Sequence, residues 1–203
     1  MKARITQYDV QRILASARAV GASKVTITTY TRHERARCVG AAKVRVTAYT
    51  RHERAYCYAA SDDDKLAILY KCEDSSWSSP GTIQVPIAFL RMFKNAREIT
   101  ILDGKQTIIT DGGTDVRFQR SLACEERTLT INGERVALFL SGAWLVEDAQ
   151  CGSIVLNDGQ KLLLPEAIIK ALKIFKGAGA VEVYRDRDAT YFASSHVTLR
   201  CTL

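Results

Sequence analysis

The sequence predicts an α+β fold made of repeated strand–helix–three-strand (βαβββ) units, with antiparallel sheets and the helices on one face. Three amphipathic segments have the periodicity of helices, and each follows a short strand-like run. Alternating segments separated by tight-turn signals fill most of the rest of the chain. Hydrophobic residues make up 47% of the 203 residues, enough to bury a core and to argue against disorder.

The three helical segments are defined by apolar residues that recur on one face. They span residues 7–20, 86–97 and 165–176. The strand-like runs before them span residues 3–6, 82–85 and 161–164. Pro86 and Pro165 fit the first helical position, where the missing N–H needs no intrahelical partner.

Three strands are predicted after each of the last two helices, so two segments share one βαβββ plan. Roughly 80 residues separate their prolines, which indicates an internal repeat. The serine-rich segment 75–81 is predicted to be a loop between two units. We expect two domains, 1–123 with two units and 124–203 with one clear unit. Residues 125–157 show no clear helix and favour strands, at 127–131, 135–140, 144–147 and 153–156.

A second, sharper repeat lies within residues 24–57. The segment 24–38 recurs as 43–57, and the seven residues 30–36 are identical to 49–55. A tandem duplication of one β-hairpin explains this pattern. Duplicated structure without a doubled function is the simpler interpretation.

Basic residues are the most informative feature of the helices. The formal net charge is +7, which favours a polyanionic partner such as nucleic acid. Counted from each proline, basic residues recur at the same offsets, and the first helix repeats two of the three positions. The predicted phosphate-binding residues are Arg12, Arg18, Arg91, Lys94, Arg97, Lys170, Lys173 and Lys176. Residues three apart share a helical face, so we expect a positive surface that contacts DNA phosphates without reading bases. A solvated helix face is the alternative, although such a face usually carries mixed charges.

Segment 45–56 resembles the L-x-V-A-T-D-G-H-R-L-A-Y segment of bacterial DNA sliding clamps, the processivity subunit of the replicative polymerase. The matching residues are Ala48, His52, Ala55 and Tyr56, and Val46 is placed conservatively. Segments 81–101 and 161–200 resemble the strand, proline, helix and strand of the next clamp element. The family has an Asp-Gly turn where this chain has Thr50 and Arg51.

The resemblance implies clamp-like domains whose helices line the hole of a six-domain ring around double-stranded DNA. Bacterial clamps have three domains per chain, whereas this chain has room for two, so a ring would need three chains. The family also binds short apolar peptides of DNA polymerase and other proteins. That pocket would include Thr50, Arg51, His52 and Arg54. A clamp-fold adaptor or decoy that binds replication proteins without encircling DNA is the alternative.

Catalytic, cofactor and metal sites are not predicted. The sequence has no P-loop, G-x-S-x-G or H-E-x-x-H motif, and it has only three histidines. His33 with Cys38, and His52 with Cys57, would be split between the two faces of a strand. The acidic run 62–64 fits a solvated turn better than a Mg²⁺ site. An enzyme whose site forms only in three dimensions stays open as an alternative.

The expected location is the cytoplasm. The first residues lead into a charged, helix-like segment and not into an apolar signal core. No apolar stretch is long enough to span a bilayer. The six cysteines form no C-x-x-C pair, and a chain of this length needs no disulfides, so we expect reduced thiols.

Overall fold

The fold was analysed in a computed structural model. It describes residues 1–39, 45–73, 75–120, 127, 129–131, 134–140, 146–147, 152–155 and 161–202. Among these, the description is limited to the backbone for residues 30–39, 45–54, 134, 137–140, 146–147 and 152–155.

The helices are α1 (Gln7–Val20), α2 (Ile87–Met92) and α3 (Glu166–Leu172), and α3 continues into a 3-10 turn (Lys173–Phe175). The prediction for α1 is confirmed at both ends. The Thr6 hydroxyl accepts a hydrogen bond from the Asp9 amide at 3.3 Å, and Gly21 ends the helix with φ of 71°. None of the helices in the described part of the chain is long and apolar enough to cross a membrane.

The prolines lie one position earlier than predicted. Pro86 and Pro165 are N-cap residues with extended backbone, and the helices begin at the residues after them. Pro86 is also the last residue of a strand, where its partner is Lys24. A proline has no N–H to donate, so it can end a strand and begin a helix at the same position.

Sixteen strands surround these helices in the described residues. In chain order they are β1 (Lys2–Thr6), β2 (Lys24–Val39), β3 (Arg45–Ala60), β4 (Leu66–Lys71), β5 (Ser76–Ser79), β6 (Gly81–Pro86), β7 (Glu98–Asp103), β8 (Gln106–Thr110), β9 (Asp115–Gln119), β10 (Glu134–Leu140), β11 (Val146–Glu147), β12 (Gly152–Val155), β13 (Lys161–Leu164), β14 (Ala180–Arg185), β15 (Ala189–Ala193) and β16 (Val197–Thr202). They form sheets with the orders β5-β1-β7-β8-β9, β10-β14-β15-β16-β4-β3-β2-β6 and β11-β12-β13. All pairings are antiparallel.

Two βαβββ units interlock by exchanging their first strands. The first unit is β1-α1-β2-β3-β4, and the second is β6-α2-β7-β8-β9. Strand β1 pairs with β7 of the second unit, whereas β6 pairs with β2 of the first unit. Each sheet therefore needs residues from both units, and neither unit can complete a sheet alone.

The second half of the chain has one further complete unit, β13-α3-β14-β15-β16. Its last strand, β16, pairs with β4, the last strand of the first unit. This pairing joins the two halves into one eight-stranded sheet. Between residues 124 and 160, the described residues include the strands β10, β11 and β12.

Two local predictions were wrong. The serine-rich segment predicted as a loop contains β5, an edge strand on β1, because Trp77 packs against the core and the polar neighbours suit an exposed edge. Residues 127 and 129–131 were predicted to be part of a strand, but they have no strand structure. An alternating pattern gives a strand only where a partner edge is available.

The duplicated segment forms one hairpin, not two. The first copy lies in β2 and the second lies in β3, and the two strands pair from Val25 with Ala59 to Val39 with Arg45. Each copy therefore lies in a single strand, because residues of the first copy pair with residues of the second and not with residues of the same copy.

Candidate nucleic-acid-binding surface

The three helices form a row with α1 in the middle, which we call the helix row. Helix α1 contacts both α2 and α3. On one side, the Gln11 side chain donates to the carbonyl of Lys94 at 3.5 Å, and the Gln7 amide donates to the carbonyl of Arg97 at 2.9 Å. On the other side, Arg12 Nη2 donates to the carbonyl of Ile174 at 3.1 Å. These bonds hold α1 beside the segment that follows α2 and beside the 3-10 turn that follows α3.

The buried faces of the helices leave most of the predicted cations exposed. Val10, Ile13, Leu90, Ile169 and Leu172 are buried in the core beneath the row. The exposed cations are Arg18, Arg91, Lys94, Arg97, Lys170, Lys173 and Lys176. On the helices this separation follows from the 3.6-residue period, because residues three or four apart lie on the same side of a helix. The second and third helical segments were predicted to reach residues 97 and 176, but α2 ends at Met92 and the 3-10 turn after α3 ends at Phe175. The last cations, Lys94, Arg97 and Lys176, therefore lie in the segments that follow the helices, and the helix row includes these segments.

Carboxylates are almost absent from the exposed side of the row. Within residues 7–20, 87–97 and 166–176 they are Asp9 and Glu166. Asp9 is fully buried, whereas Glu166 is exposed and pairs with Lys170 Nζ at 2.6 Å. The hydrogen bond from Lys170 lowers the pKa of Glu166. The exposed side of the row is therefore mainly positive, with seven cations and the single exposed carboxylate of Glu166 within these segments.

Arg12 differs from the other seven predicted cations. It is half-buried, and its guanidinium lies 5.9 Å from the centre of the Tyr70 ring. The Tyr70 hydroxyl donates to Asp9 Oδ1 at 2.6 Å, and the Glu73 amide donates to the same oxygen at 3.1 Å. Burial raises the pKa of Tyr70, and the hydrogen bond to Asp9 raises it further. Arg12 thus holds α1 to the 3-10 turn after α3, and its contact with DNA stays a prediction.

The buried Asp9–Tyr70 pair was not predicted from the sequence. Asp9, Ile13 and Ser16 are all fully buried, and they are spaced four and three residues apart on one helical face. The sequence did show a carboxylate on the same helical face as an apolar residue. Such a carboxylate is buried, and a buried carboxylate needs hydrogen-bond donors.

A basic groove lies between α1 and α3. Its volume is about 590 Å³, and its lining includes Ala15, Ala19 and Ile174. The cations that line it are Arg12, Arg18, Lys170 and Lys173. The small side chains of the two alanines leave room between the helices, and the cations suit phosphate oxygens.

The residues predicted to bind partner peptides lie in the β2–β3 ladder. Thr50, Arg51, His52 and Arg54 are in β3, before Tyr56, where pairing of β3 with β4 begins. They pair with Glu34, His33, Arg32 and Tyr30 of β2. Their side chains are outside the described part of the structure, and the peptide pocket stays a prediction.

An open strand edge with an apolar neighbourhood was also missed. Strand β9 pairs with β8, and no other described strand pairs with it. Phe118 of β9 is partly buried, with its ring centre 5.1 Å from that of Phe89. Met92, at the end of α2, has 63% of its surface exposed. The spacing of Phe89 and Met92 on one helical face was the available signal.

Solved structures with the same architecture are bacterial sliding clamps. The DNA polymerase sliding clamp of Bacillus subtilis superposes with a TM-score of 0.67 at 13% sequence identity, covering 100% of this chain and 64% of that one. The DNA polymerase III beta subunit of Thermotoga maritima gives 0.66 at 12% identity, covering 99% and 64%. This chain has the sliding-clamp fold. The resemblance stated from the sequence is confirmed at the level of the fold.

A third clamp was solved with a partner peptide. The Helicobacter pylori beta clamp bound to a DNA ligase peptide gives a TM-score of 0.59 at 11% identity, covering 100% of this chain and 66% of that one. This chain therefore spans about two thirds of the length of the clamps it matches. No protein-family profile and no curated protein sequence matches it.

Proposed function

We propose that this protein is a sliding-clamp-like processivity factor that encircles duplex DNA in the cytoplasm and tethers replication proteins to it. The helix row carries the proposal: seven of its predicted cations are exposed, and Glu166 is its one exposed carboxylate. Such a surface attracts phosphates without reading bases, which is what a protein that moves along DNA requires. The protein acts by binding and not by catalysis.

Ring closure would use the open edge of β9. Inside the chain, β16 pairs with β4, so the last strands of two units already extend one sheet across a junction. Strand β9 is the last strand of the second unit, and its equivalent edge is open among the described residues. We propose that a strand from residues 124–160 of the next chain pairs with it, beside Phe89, Met92 and Phe118. With two domains per chain, three chains make six domains.

Replication proteins are the proposed protein partners. The Helicobacter pylori clamp binds a DNA ligase peptide, which supports the same kind of partner for this chain. DNA polymerase is the partner expected for a processivity factor. Thr50, Arg51, His52 and Arg54 remain the proposed peptide-binding positions.

Charge reversal on the helix row tests DNA binding. The variant replaces Arg91, Lys94, Lys170 and Lys173 together with Glu. We expect salt-sensitive association with duplex DNA to be abolished while the circular dichroism spectrum is retained. The matched control reverses one Arg and three Lys that are exposed outside the row, namely Lys65, Lys105, Lys161 and Arg187. If the two variants associate equally with DNA, the assignment of the helix row as the DNA-binding surface is contradicted.

The solution mass tests the ring. Light scattering after gel filtration is expected to give the mass of three chains, and the protein is expected to stay on closed circular DNA longer than on linear DNA. Replacing Phe118 and Met92 with Asp is expected to give single chains of unchanged fold. A single-chain mass for the natural sequence contradicts the ring.

An adaptor or decoy is the second candidate function. The chain spans 64% of the length of the Bacillus subtilis clamp, and no helix occurs in the described residues between 124 and 160. A clamp-fold protein of this kind would bind replication proteins without encircling DNA. A single-chain mass, low affinity for DNA and retained binding to polymerase would establish it.

A further inference from the structure

Strands β2 and β3 continue beyond the sheet as a two-stranded ribbon. Strand β2 pairs with β6 only as far as Thr29, and β3 pairs with β4 only from Tyr56 onward. Beyond these points residues 30–39 pair with residues 45–54, and no other described strand pairs with either. We call these two segments the ribbon. Its ten residues per strand correspond to about 33 Å of extended chain.

The two faces of the ribbon have different charges. Pairing runs without a shift from Tyr30 with Arg54 to Val39 with Arg45, so odd-numbered residues always oppose odd-numbered residues. Successive residues of a strand alternate between faces, so one face holds the odd-numbered positions and the other the even-numbered ones. The charged residues of the odd face are Arg35, Arg37, Arg45, Arg51 and Glu53, and those of the even face are Arg32, Arg54 and Glu34. The formal charges are +3 (four Arg, one Glu) and +1 (two Arg, one Glu).

The odd face starts on the helix side of the sheet. At the base of the ribbon, the odd-numbered Val25, Ile27, Ala55 and Cys57 are buried in the same cluster as Val10 and other residues of α1. The more basic face of the ribbon therefore begins on the side of the sheet that carries the helix row. Strand twist rotates the face progressively toward the tip.

We propose that the odd face of the ribbon binds the phosphates of duplex DNA. Its charge complements a polyanion, and an antiparallel two-stranded ribbon has the dimensions that the major groove of B-DNA admits. The helix row does not include these residues, so the ribbon is a second DNA contact, and it requires no ring. Three of the four proposed peptide-binding positions, Thr50, His52 and Arg54, are on the even face.

The repeat provides a matched pair of variants. The copies are offset by 19 residues, an odd number, so each repeat position lies on opposite faces in the two copies. Arg35 and Arg54 share one repeat position, and Arg32 and Arg51 share another. The variant Arg35→Gln with Arg51→Gln therefore removes from the odd face the same two residues that Arg32→Gln with Arg54→Gln removes from the even face.

The measurement is the affinity for a duplex of about 30 base pairs and arbitrary sequence at several salt concentrations. The slope of log K against log salt is negative, and each lost phosphate contact lowers its magnitude by about 0.9. We expect this magnitude to decrease by about 2 for the odd-face variant and by less than half of that for the even-face variant. Excision of residues 31–49, which leaves one copy, should decrease the magnitude of the slope at least as much as the odd-face variant. Equal slopes for the two Gln variants, or an unchanged slope after the excision, overturn the proposal.

The proposals for the ribbon and for the helix row can be contradicted independently of each other. The odd-face substitutions are also made in the variant with four reversed charges on the helix row. If the row variant binds DNA normally and the odd-face variant does not, the processivity proposal fails and the ribbon proposal stands. If the odd-face substitutions change nothing in either background, the ribbon proposal fails alone. Single-stranded DNA of the same length, if bound more tightly than the duplex, also overturns it.

Discussion

The two copies of the duplicated segment have nearly the same sequence and opposite surroundings. Ala55 and Cys57, near the end of the second copy, are buried in the core beside α1, with at most 2% of their surface exposed. Their equivalents in the first copy, Ala36 and Cys38, are in the ribbon. The relation reverses at the start of the copies, where Ile27 is fully buried and its equivalent Val46 is in the ribbon.

Neighbouring strands explain this reversal. The start of the first copy lies between β3 and β6, and the end of the second copy lies between β2 and β4. The remaining halves have only each other as partners in the described structure. Identical residues therefore differ in burial because of what pairs beside them, and four predictions test this difference in order of decreasing effect.

The largest effect is expected for an added charge at the shared alanine position. Ala55→Asp would bury an unpaired carboxylate, at a cost of about 4 kcal/mol or more, whereas Ala36→Asp should change the free energy of unfolding by about 0.5 kcal/mol or less. Urea denaturation followed by circular dichroism measures both. Similar destabilisation by the two variants would contradict the assignment of Ala36 to the ribbon.

Thiol reactivity should differ next most strongly. Burial raises the pKa of Cys57, so its thiol stays protonated at pH 8, whereas an ordinary thiol with a pKa of about 8.5 is about one quarter thiolate. We expect iodoacetamide to modify Cys38 on the order of 100-fold faster than Cys57, which must first be exposed by unfolding. Mass spectrometry separates the two sites, which lie on different tryptic peptides, and equal rates would contradict the difference in burial.

Backbone protection should follow the number of neighbouring strands. Amides of residues 26–29 are in the interior of the eight-stranded sheet, and the equivalent amides of residues 45–48 are in the ribbon. Hydrogen exchange should be at least about tenfold slower in the first group, because a two-stranded ribbon opens without disrupting the core. Equal protection would mean that further contacts hold the ribbon.

The smallest effect is expected when one of the two copies is deleted. Excision of residues 31–49 joins Tyr30 to Thr50 and keeps the partner of Tyr30, Arg54, in the same register. The free energy of unfolding should change by about 1 kcal/mol or less, since closure entropy depends only slowly on loop length. A loss of several kcal/mol in a denaturation curve would show that the ribbon packs against the rest of the protein.

Local patterns predicted a large part of this fold. The bounds of α1 followed from its apolar period, and β8, β13 and β15 lie where alternation and turn signals indicated. The exposure of Arg18, Arg91 and Lys170 followed from helical periodicity, which separates exposed from buried positions on a helix. The cations Lys94, Arg97 and Lys176 are also exposed, but they lie after helical elements that end earlier than predicted. The edge strand β5 was missed, since an exposed serine-rich strand has the composition of a loop.

The sequence by itself determined the type and order of most of the elements and the charge of the exposed helix faces. These features depend on residues a few positions apart, whose spacing can be read along the chain. Only the tertiary structure decided the exchange of first strands between units, the junction of β4 with β16, the position of Arg12 beside Tyr70, and the pairing of one repeat copy with the other. Each of these joins residues far apart in the chain, and many partners of similar local pattern compete for them. The pairings that form are those of the arrangement that buries the most apolar surface while every strand pairs with a neighbouring strand.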